Sequence, residues 1–226
     1  MSIILALETA TAACSAAIWL DGNIKWRFDI TPQRHSEIIL TFIDELLIEA
    51  DIQLQEVDVI AFGCGPGSFM GVRIATGIAQ GVAYGIDRPV IPVSTLQALA
   101  QSAYEKIKRE RIIAGLDAHM DSIYWGSYQA DDQGIMQAVI RDQLSKPTPT
   151  AMMTFAGDDW IAAGNGWKIY TDFPKVLFKE AYFDIYPNAA SVALIANQKF
   201  IRGDIFPPEK VEPMYIREVV TRKLGR

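Results

Sequence analysis

Hydrophobic and polar residues alternate along the first half of the chain with periods that predict strands and helices in turn. Short apolar runs bounded by turn residues predict strands at residues 3–7, 14–20, 24–30, 57–62 and 90–93. Apolar positions at helical spacing predict helices over residues 36–50, 72–86 and 95–108. Asp21-Gly22-Asn23 separates the second and third strands and predicts a β-hairpin, while Ser36 and Ser94 are the expected N-caps.

The second half repeats this beginning in a shorter form. After a charged stretch at 105–111, apolar runs predict strands at residues 112–116, at 123–129, in a run that ends at 140, and at 160–163, with one clear helix over 189–201. In each half a strand and hairpin come near an acid, Glu8 and then Asp117, which is the plan of actin-like ATPases built from two ribonuclease-H-like domains. We therefore predict an α/β fold with domains at 1–110 and 111–226. The second domain is reduced, and the C-terminal tail could return to the first.

The predicted helix over 72–86 is unusual because Arg73 is its only charge and Gly77, Gly81 and Gly85 recur every four residues on one face. Each interior glycine destabilises a helix by about 1 kcal/mol relative to alanine, so close packing must offset the loss. The run is shorter than the roughly 20 apolar residues that a bilayer requires. It is therefore a core helix or a helix–helix interface, and its periodicity alone favours the core.

The preceding segment, Gly63 to Arg73, joins a predicted strand to this helix and is rich in glycine. Backbone N–H groups at such a turn can bind phosphate. A P-loop also needs a lysine, which the segment lacks, and a dinucleotide fingerprint needs a third glycine where Ser68 stands. The loop alone therefore favours a tight turn in which glycine allows positive φ angles.

Composition and charge narrow the function further. The chain has 226 residues, 50% of them hydrophobic, and a net charge of −6 with a pI near 5.0, which argues against unassisted binding to nucleic acid. The basic residues 217–226 are expected to form a solvated tail. The N-terminus does not read as a secretory signal, so we expect a cytoplasmic protein without a membrane span. Cys14 and Cys64 are expected to be reduced, structural thiols.

Motifs spread along the whole chain, in the same order, resemble those of the bacterial TsaB (YeaZ) family. They are Glu8-Thr-Ala-Thr-Ala-Ala-Cys-Ser15, Arg34-His-Ser-Glu37, Gly65-Pro-Gly-Ser-Phe-Met-Gly-Val-Arg-Ile74, Pro92-Val-Ser-Thr95, Leu116-Asp-Ala118, Tyr124-Trp125, Gly164-Asn-Gly166 and Glu212-Pro-Met-Tyr-Ile-Arg217. The Gly65–Ile74 segment is the most specific of them. Met70 stands where the family usually has threonine and Ala75 where glycine is common, and neither changes the charge.

The resemblance implies a non-catalytic subunit of the machinery that forms threonylcarbamoyladenosine next to the anticodon, in tRNAs that read codons beginning with A. The catalytic paralogue TsaD would transfer the threonylcarbamoyl group, the ATPase TsaE would join the complex, and tRNA would be reached through the complex. A homodimer is possible when the subunit is alone. Contrary to the periodicity, the resemblance implies that the first two helices form the partner surface, for which we expect His35, Ile39, Phe42, Arg73, Gly77, Gly81 and Tyr84.

Candidate cofactor residues are few. The catalytic paralogue holds a metal with two histidines at i and i+4, whereas His35 of this chain is followed at that spacing by Ile39. His119 and Asp117 would make an incomplete site, so we expect no catalytic residue, metal or other cofactor. Glu8, Thr9 and Thr11 stand where the actin-like fold holds magnesium and phosphates. No basic residue lies near them in sequence, which favours a vestigial hairpin and leaves weak ATP or ADP binding as the alternative.

Two other functions remain open from the sequence. One is an independent enzyme, either an actin-fold ATP-dependent enzyme or a glycoprotease-type metallopeptidase, which would need a metal site or an acid and a base at the cleft. The other is a self-assembling homodimer that acts as a binding module without a tRNA role. It would use the same apolar helices.

Overall fold

The computed structural model describes residues 2–146, 159–170, 178 and 180–216, which form two five-stranded sheets and their covering helices. The first sheet contains β1 (Ile3–Glu8), β2 (Ala13–Leu20), β3 (Asn23–Ile30), β4 (Val59–Gly63) and β5 (Val90–Val93). The second contains β6 (Arg111–Asp117), β7 (Ile123–Ala130), β8 (Met136–Ser145), β9 (Ile161–Ala163) and β10 (Ala181–Tyr182). The α-helices are α1 (His35–Ala50), α2 (Phe69–Gly85), α3 (Thr95–Ile107) and α4 (Ala189–Arg202), and short 3₁₀ turns lie at Leu54–Glu56, Asn165–Tyr170 and Pro208–Lys210.

The two sheets share one topology. Their strand orders are β3-β2-β1-β4-β5 and β8-β7-β6-β9-β10. In each, the first three strands pair antiparallel as a meander and the last two join parallel to the first. This repeat agrees with the predicted pair of ribonuclease-H-like domains. The second copy is reduced, since β9 has three residues and β10 only two.

Helices cover both faces of the first sheet. On one face α1 and α2 pack against the strands, with Ile39 of α1 and Ala79 of α2 in one core with Phe62. On the other face α4 buries Val192 and Ile195 against residues that include Ile4. Successive strand residues point to opposite faces, so β1 supplies side chains to both cores.

Helices α3 and α4 cross the predicted boundary at residue 110. Although α3 follows β5, its Leu96 and Leu99 pack with Ile112 and Tyr128 of the second sheet. Conversely α4, which the sequence assigned to the second domain, covers the first sheet. The boundary at 110 thus divides the sheets and not the helices. Periodicity shows that a helix has an apolar face, but not which sheet that face covers.

Local signals set most element ends. Asp21 and Gly22 both have positive φ angles, as expected of a two-residue hairpin turn, and Ser94 Oγ accepts a hydrogen bond from Gln97 N at 3.1 Å as the predicted N-cap of α3. Ser36 is not an N-cap, because α1 begins at His35 and Arg34 precedes it. Helix α2 begins at Phe69, earlier than predicted, because Ser68 Oγ accepts from Gly71 N at 3.4 Å and caps it.

Three further expectations concern membrane-spanning helices, the basic C-terminal tail and the two cysteine thiols. Within the described ranges every helix is too short or too polar to span a bilayer. The basic tail at 217–226 lies outside the described residues. Cys14 and Cys64 are both free thiols and both are buried. Burial raises the pKa of each thiol to about 12, so both resist ionisation.

Candidate functional site

The outer face of α2 carries the glycine row. Gly77, Gly81 and Gly85 are all exposed. Apart from adjacent residues and nearby backbone of the same helix, no atom of the described residues lies within 4 Å of a Cβ built on any of them. The opposite face of the same helix is buried, as Ala75 and Ala79 show. The row is therefore not required for packing inside the chain, although periodicity alone favoured the core for this helix.

Large side chains flank the glycine row. Tyr84 is 78% exposed at one end of the row, and Phe69 and Met70 are each 61% exposed at the other. Arg73 is also exposed and lies one turn before Gly77 on the same face. Of the predicted partner residues on α2, all four lie on this open face.

Helix α1 contributes less to this surface than expected. Ile39 is 0% exposed and His35 is 8% exposed, so both side chains lie beneath the surface of the isolated chain. Phe42 is half-buried, whereas Leu40 and Ile48 are exposed although neither was expected there. In the isolated chain Ile39 and His35 therefore lie in the interior, contrary to an exposed partner surface, and their role in pairing stays a prediction. The wide apolar stripe of α1 mainly covers the sheet, which the sequence pattern could not distinguish from a partner contact.

The residues that were predicted to lie near a nucleotide make their contacts within the chain. Glu8 and Thr9 are fully buried. Glu8 accepts hydrogen bonds from Ala10 N at 2.7 Å and from Thr95 Oγ1 at 3.2 Å, and Thr9 Oγ1 donates to Gly71 O at 2.7 Å. Burial raises the pKa of Glu8 to about 7, and its hydrogen bonds oppose that rise only in part.

Glycines of the loop before α2 allow the first hairpin to come this close. A Cβ on Gly63 would lie 1.9 Å from Glu8 Oε2, one on Gly67 would lie 2.4 Å from Ala10 O, and one on Gly71 would lie 2.1 Å from Thr9 O. The loop also donates a hydrogen bond from Ser68 N to Ala10 O at 2.7 Å. These glycines therefore serve close packing of loop against hairpin.

Thr11 is the third candidate of this hairpin. Its side chain is half-buried, and its Oγ1 accepts from Ala13 N at 3.3 Å inside the turn.

Asp117 and His119 lie together at the end of β6. His119 N donates to Asp117 Oδ1 at 2.7 Å, and the His119 Nδ1 atom is 3.4 Å from Asp117 Oδ2. The His119 imidazole is largely exposed. Across the part of the chain that is described, no three His, Cys, Asp or Glu side chains converge as metal ligands.

Comparison with known proteins decides the family. The model of the family described as TsaD, tRNA N6-adenosine threonylcarbamoyltransferase, matches residues 29–205. The tRNA threonylcarbamoyladenosine biosynthesis protein TsaB of Escherichia coli K12 is 37% identical over 97% of this chain and 96% of its own length. The chain belongs to the TsaB (YeaZ) family. The TsaB of Haemophilus influenzae is 35% identical over 97% and 95% of the two chains.

A solved structure of this TsaB family agrees with the fold. YeaZ from Pseudomonas aeruginosa superimposes with a TM-score of 0.89 and 38% identity, over 95% of this chain and 100% of that one. The resemblance drawn from the motifs is thus confirmed, together with the actin-like fold class.

Sequence reasoning missed that a segment near the C-terminus adds an aromatic side chain to the exposed face of α2. Tyr215 is 52% exposed, and its ring lies 6.2 Å from that of Phe69 at the start of α2. The Glu212-Pro-Met-Tyr-Ile-Arg217 motif was noted for the resemblance. Nothing local in it indicates contact with a helix more than a hundred residues earlier.

Proposed function

We propose that this protein acts in tRNA threonylcarbamoyladenosine biosynthesis as a non-catalytic subunit that pairs with and activates the catalytic paralogue TsaD. Full-length relatives carry the name of this pathway, and the matching family model is that of the threonylcarbamoyltransferase itself. We expect the ATPase TsaE to join the pair and tRNA to be bound by the assembled complex. This role would operate in the cytoplasm.

The observation that carries the pairing is the open glycine row of α2. Gly77 and Gly81 each destabilise the helix by about 1 kcal/mol relative to alanine, and no internal contact requires them. Glycine is used where another backbone must approach closely. A partner helix packed across this row would explain both residues and would also cover Tyr84 and Met70.

The same geometry favours a subunit without chemistry of its own. Glu8 and Thr9 are buried rather than facing an open cleft: Thr9 bonds to Gly71 of α2, and Glu8 to Ala10 and to Thr95 of α3. Asp117 and His119 offer only two ligands. We propose that the hairpin is structural and that a nucleotide, if bound, contributes no reaction here. An independent enzyme remains the second candidate. Metal analysis and an ATP-turnover assay on the purified chain test it, and stoichiometric metal or steady turnover would favour it.

Depletion of the protein in its host tests the proposal directly. Modified adenosine in the tRNA pool, measured by mass spectrometry, should fall, and activity reconstituted from purified TsaD and TsaE should require this chain. Unchanged modification after depletion would remove the central claim. A binding module that only self-associates would give that result while still forming homodimers in sedimentation experiments.

A further inference from the structure

Arg73 lies over the ring of Phe69 at the start of α2 and beside a second ring, that of Tyr215. Its guanidinium carbon lies 3.3 Å from the centre of the Phe69 ring and 5.3 Å from that of Tyr215. Phe69 is one turn earlier on the same helix, whereas Tyr215 comes from the end of the described chain. Stacking of this kind holds the guanidinium plane while leaving its N–H edges available.

The segment that supplies Tyr215, residues 204–216, is bound firmly along α2 and is called the strap here. Gln80 Nε2 of α2 donates to the strap carbonyls of Pro208 at 2.9 Å and Val211 at 3.0 Å. Met214 N donates to Cys64 O at 2.7 Å, and Val211 is buried in the core of the first sheet. Tyr215 therefore follows an anchored backbone, and its position beside Arg73 is built into the fold.

Among the described residues, no acidic side chain is paired with Arg73. Helix α2 itself contains no acidic residue. Its neighbours along the exposed face of α2, Met70 three residues before it and Gly77 four residues after it, carry no charge. A partner that covers this face would bury the cation and must neutralise it.

We propose that Arg73 is an anchor that binds a carboxylate of the partner, an Asp or Glu on a helix with small side chains lying along Gly77 and Gly81. This inference rests on the proposed pairing with the catalytic paralogue. A guanidinium held in plane matches a carboxylate with two parallel hydrogen bonds. Gly77 and Gly81 follow Arg73 by one and two turns, so a helix close enough to touch them also reaches the arginine. A glycine row fits a backbone better than it fits RNA, and the chain's net charge of −6 disfavours RNA.

Titration calorimetry of the full chain with purified TsaD tests the anchor. Arg73→Gln should weaken binding by about 30-fold or more, as expected when one member of a buried charge pair is removed. Arg73→Lys should fall between Gln and wild type, because it keeps the charge but loses the planar fork. Arg202→Gln, at the exposed end of α4 on the opposite side of the sheet, is the matched control and should bind as wild type does.

Charge reversal separates recognition from folding defects. Arg73→Glu should abolish pairing, and one Asp→Lys or Glu→Lys variant in a scan of the TsaD helices should restore it, which a misfolded subunit could not do. Wild-type affinity of Arg73→Gln, or absence of any restoring variant, would overturn the anchor while leaving the pairing intact. If Arg73→Gln lost only tRNA binding, the ligand of Arg73 would be a phosphate. If it lost only self-association, the ligand would lie on a second copy of this chain. Either result would overturn the proposal of a TsaD carboxylate. Failure of the wild-type chain to bind TsaD would instead reject the proposed function.

Discussion

At the scale of single residues, two groups of glycines near α2 have opposite purposes. Gly63 and Gly71 have no space for a Cβ because Glu8 and Thr9 occupy it, whereas Gly77 and Gly81 face open space. Spacing in the sequence does not separate the two groups. Only the position of the first hairpin does, since the contacts with Glu8 and Thr9 join residues more than fifty positions apart.

Glu8 should make the stability of the protein depend on pH. Burial raises its pKa from 4.5 to about 7, so between these values the folded state binds more protons than the unfolded state. The corresponding stabilisation is complete below pH 4.5 and is lost as pH rises through 7. The wild-type free energy of unfolding should therefore fall by about 3 kcal/mol relative to Glu8→Gln between pH 4.5 and pH 8.

Denaturant unfolding of both proteins at several pH values measures this difference. Asp132→Asn, an exposed position in the turn between β7 and β8, is the control and should follow the wild-type curve. A difference between wild type and Glu8→Gln that stays constant with pH would mean that the buried carboxyl does not titrate in this range. We also expect Glu8→Gln to retain tRNA modification if the fold survives.

At the scale of secondary-structure elements, the two helices on one face of the first sheet differ in what they expose. Helix α1 is amphipathic and covers the sheet with Ile39 and Leu46, so its apolar face is mostly buried in the core. Helix α2 covers the sheet with alanines and keeps its glycines outside. Its unusual lack of charge is therefore a property of the exposed face as well as of the buried one.

Two substitutions of Gly81 should separate the stability of the isolated chain from its pairing. Gly81→Ala should raise the free energy of unfolding of the isolated chain by about 1 kcal/mol, because alanine is the better helix former and nothing obstructs its Cβ. Gly81→Met should also fold normally, yet weaken pairing with TsaD by several kcal/mol, because a large side chain holds the two backbones apart. Thermal melting and titration calorimetry measure the two effects.

Lys106→Met places the same side chain on an exposed position of α3 and should leave pairing unchanged. If Gly81→Met pairs with wild-type affinity, the row lies outside the interface. A large drop in melting temperature for the isolated Gly81→Met chain would instead show that this face is packed.

At the scale of the whole molecule, the two sheets exchange helices. Leu99 of α3 packs on the second sheet, and Ile195 of α4 packs on the first. Each half of the chain thus completes the core of the other. Two domains connected in this way are expected to unfold together, unlike two domains joined by a linker.

Calorimetry of core variants tests this coupling. Leu99→Ala and Ile195→Ala should each destabilise the protein by about 2–5 kcal/mol and lower the temperature of one shared transition. Ile201→Ala, exposed on the same helix as Ile195, should change stability by less than about 0.5 kcal/mol. Two transitions, each moved by only one of the core variants, would show that the halves unfold independently.

The sequence by itself determined the order of the elements, the repeated strand-and-hairpin plan and the family. These depend on local properties: hydrophobic period, turn residues such as Asp21-Gly22, N-caps such as Ser94, and motifs read in order. The tertiary structure decided which sheet α3 and α4 cover, that Ile39 points inward while Gly81 points outward, and that Tyr215 reaches Arg73. Those facts rest on contacts between distant parts of the chain, and a local pattern that offers an apolar or a glycine face does not state what lies against it.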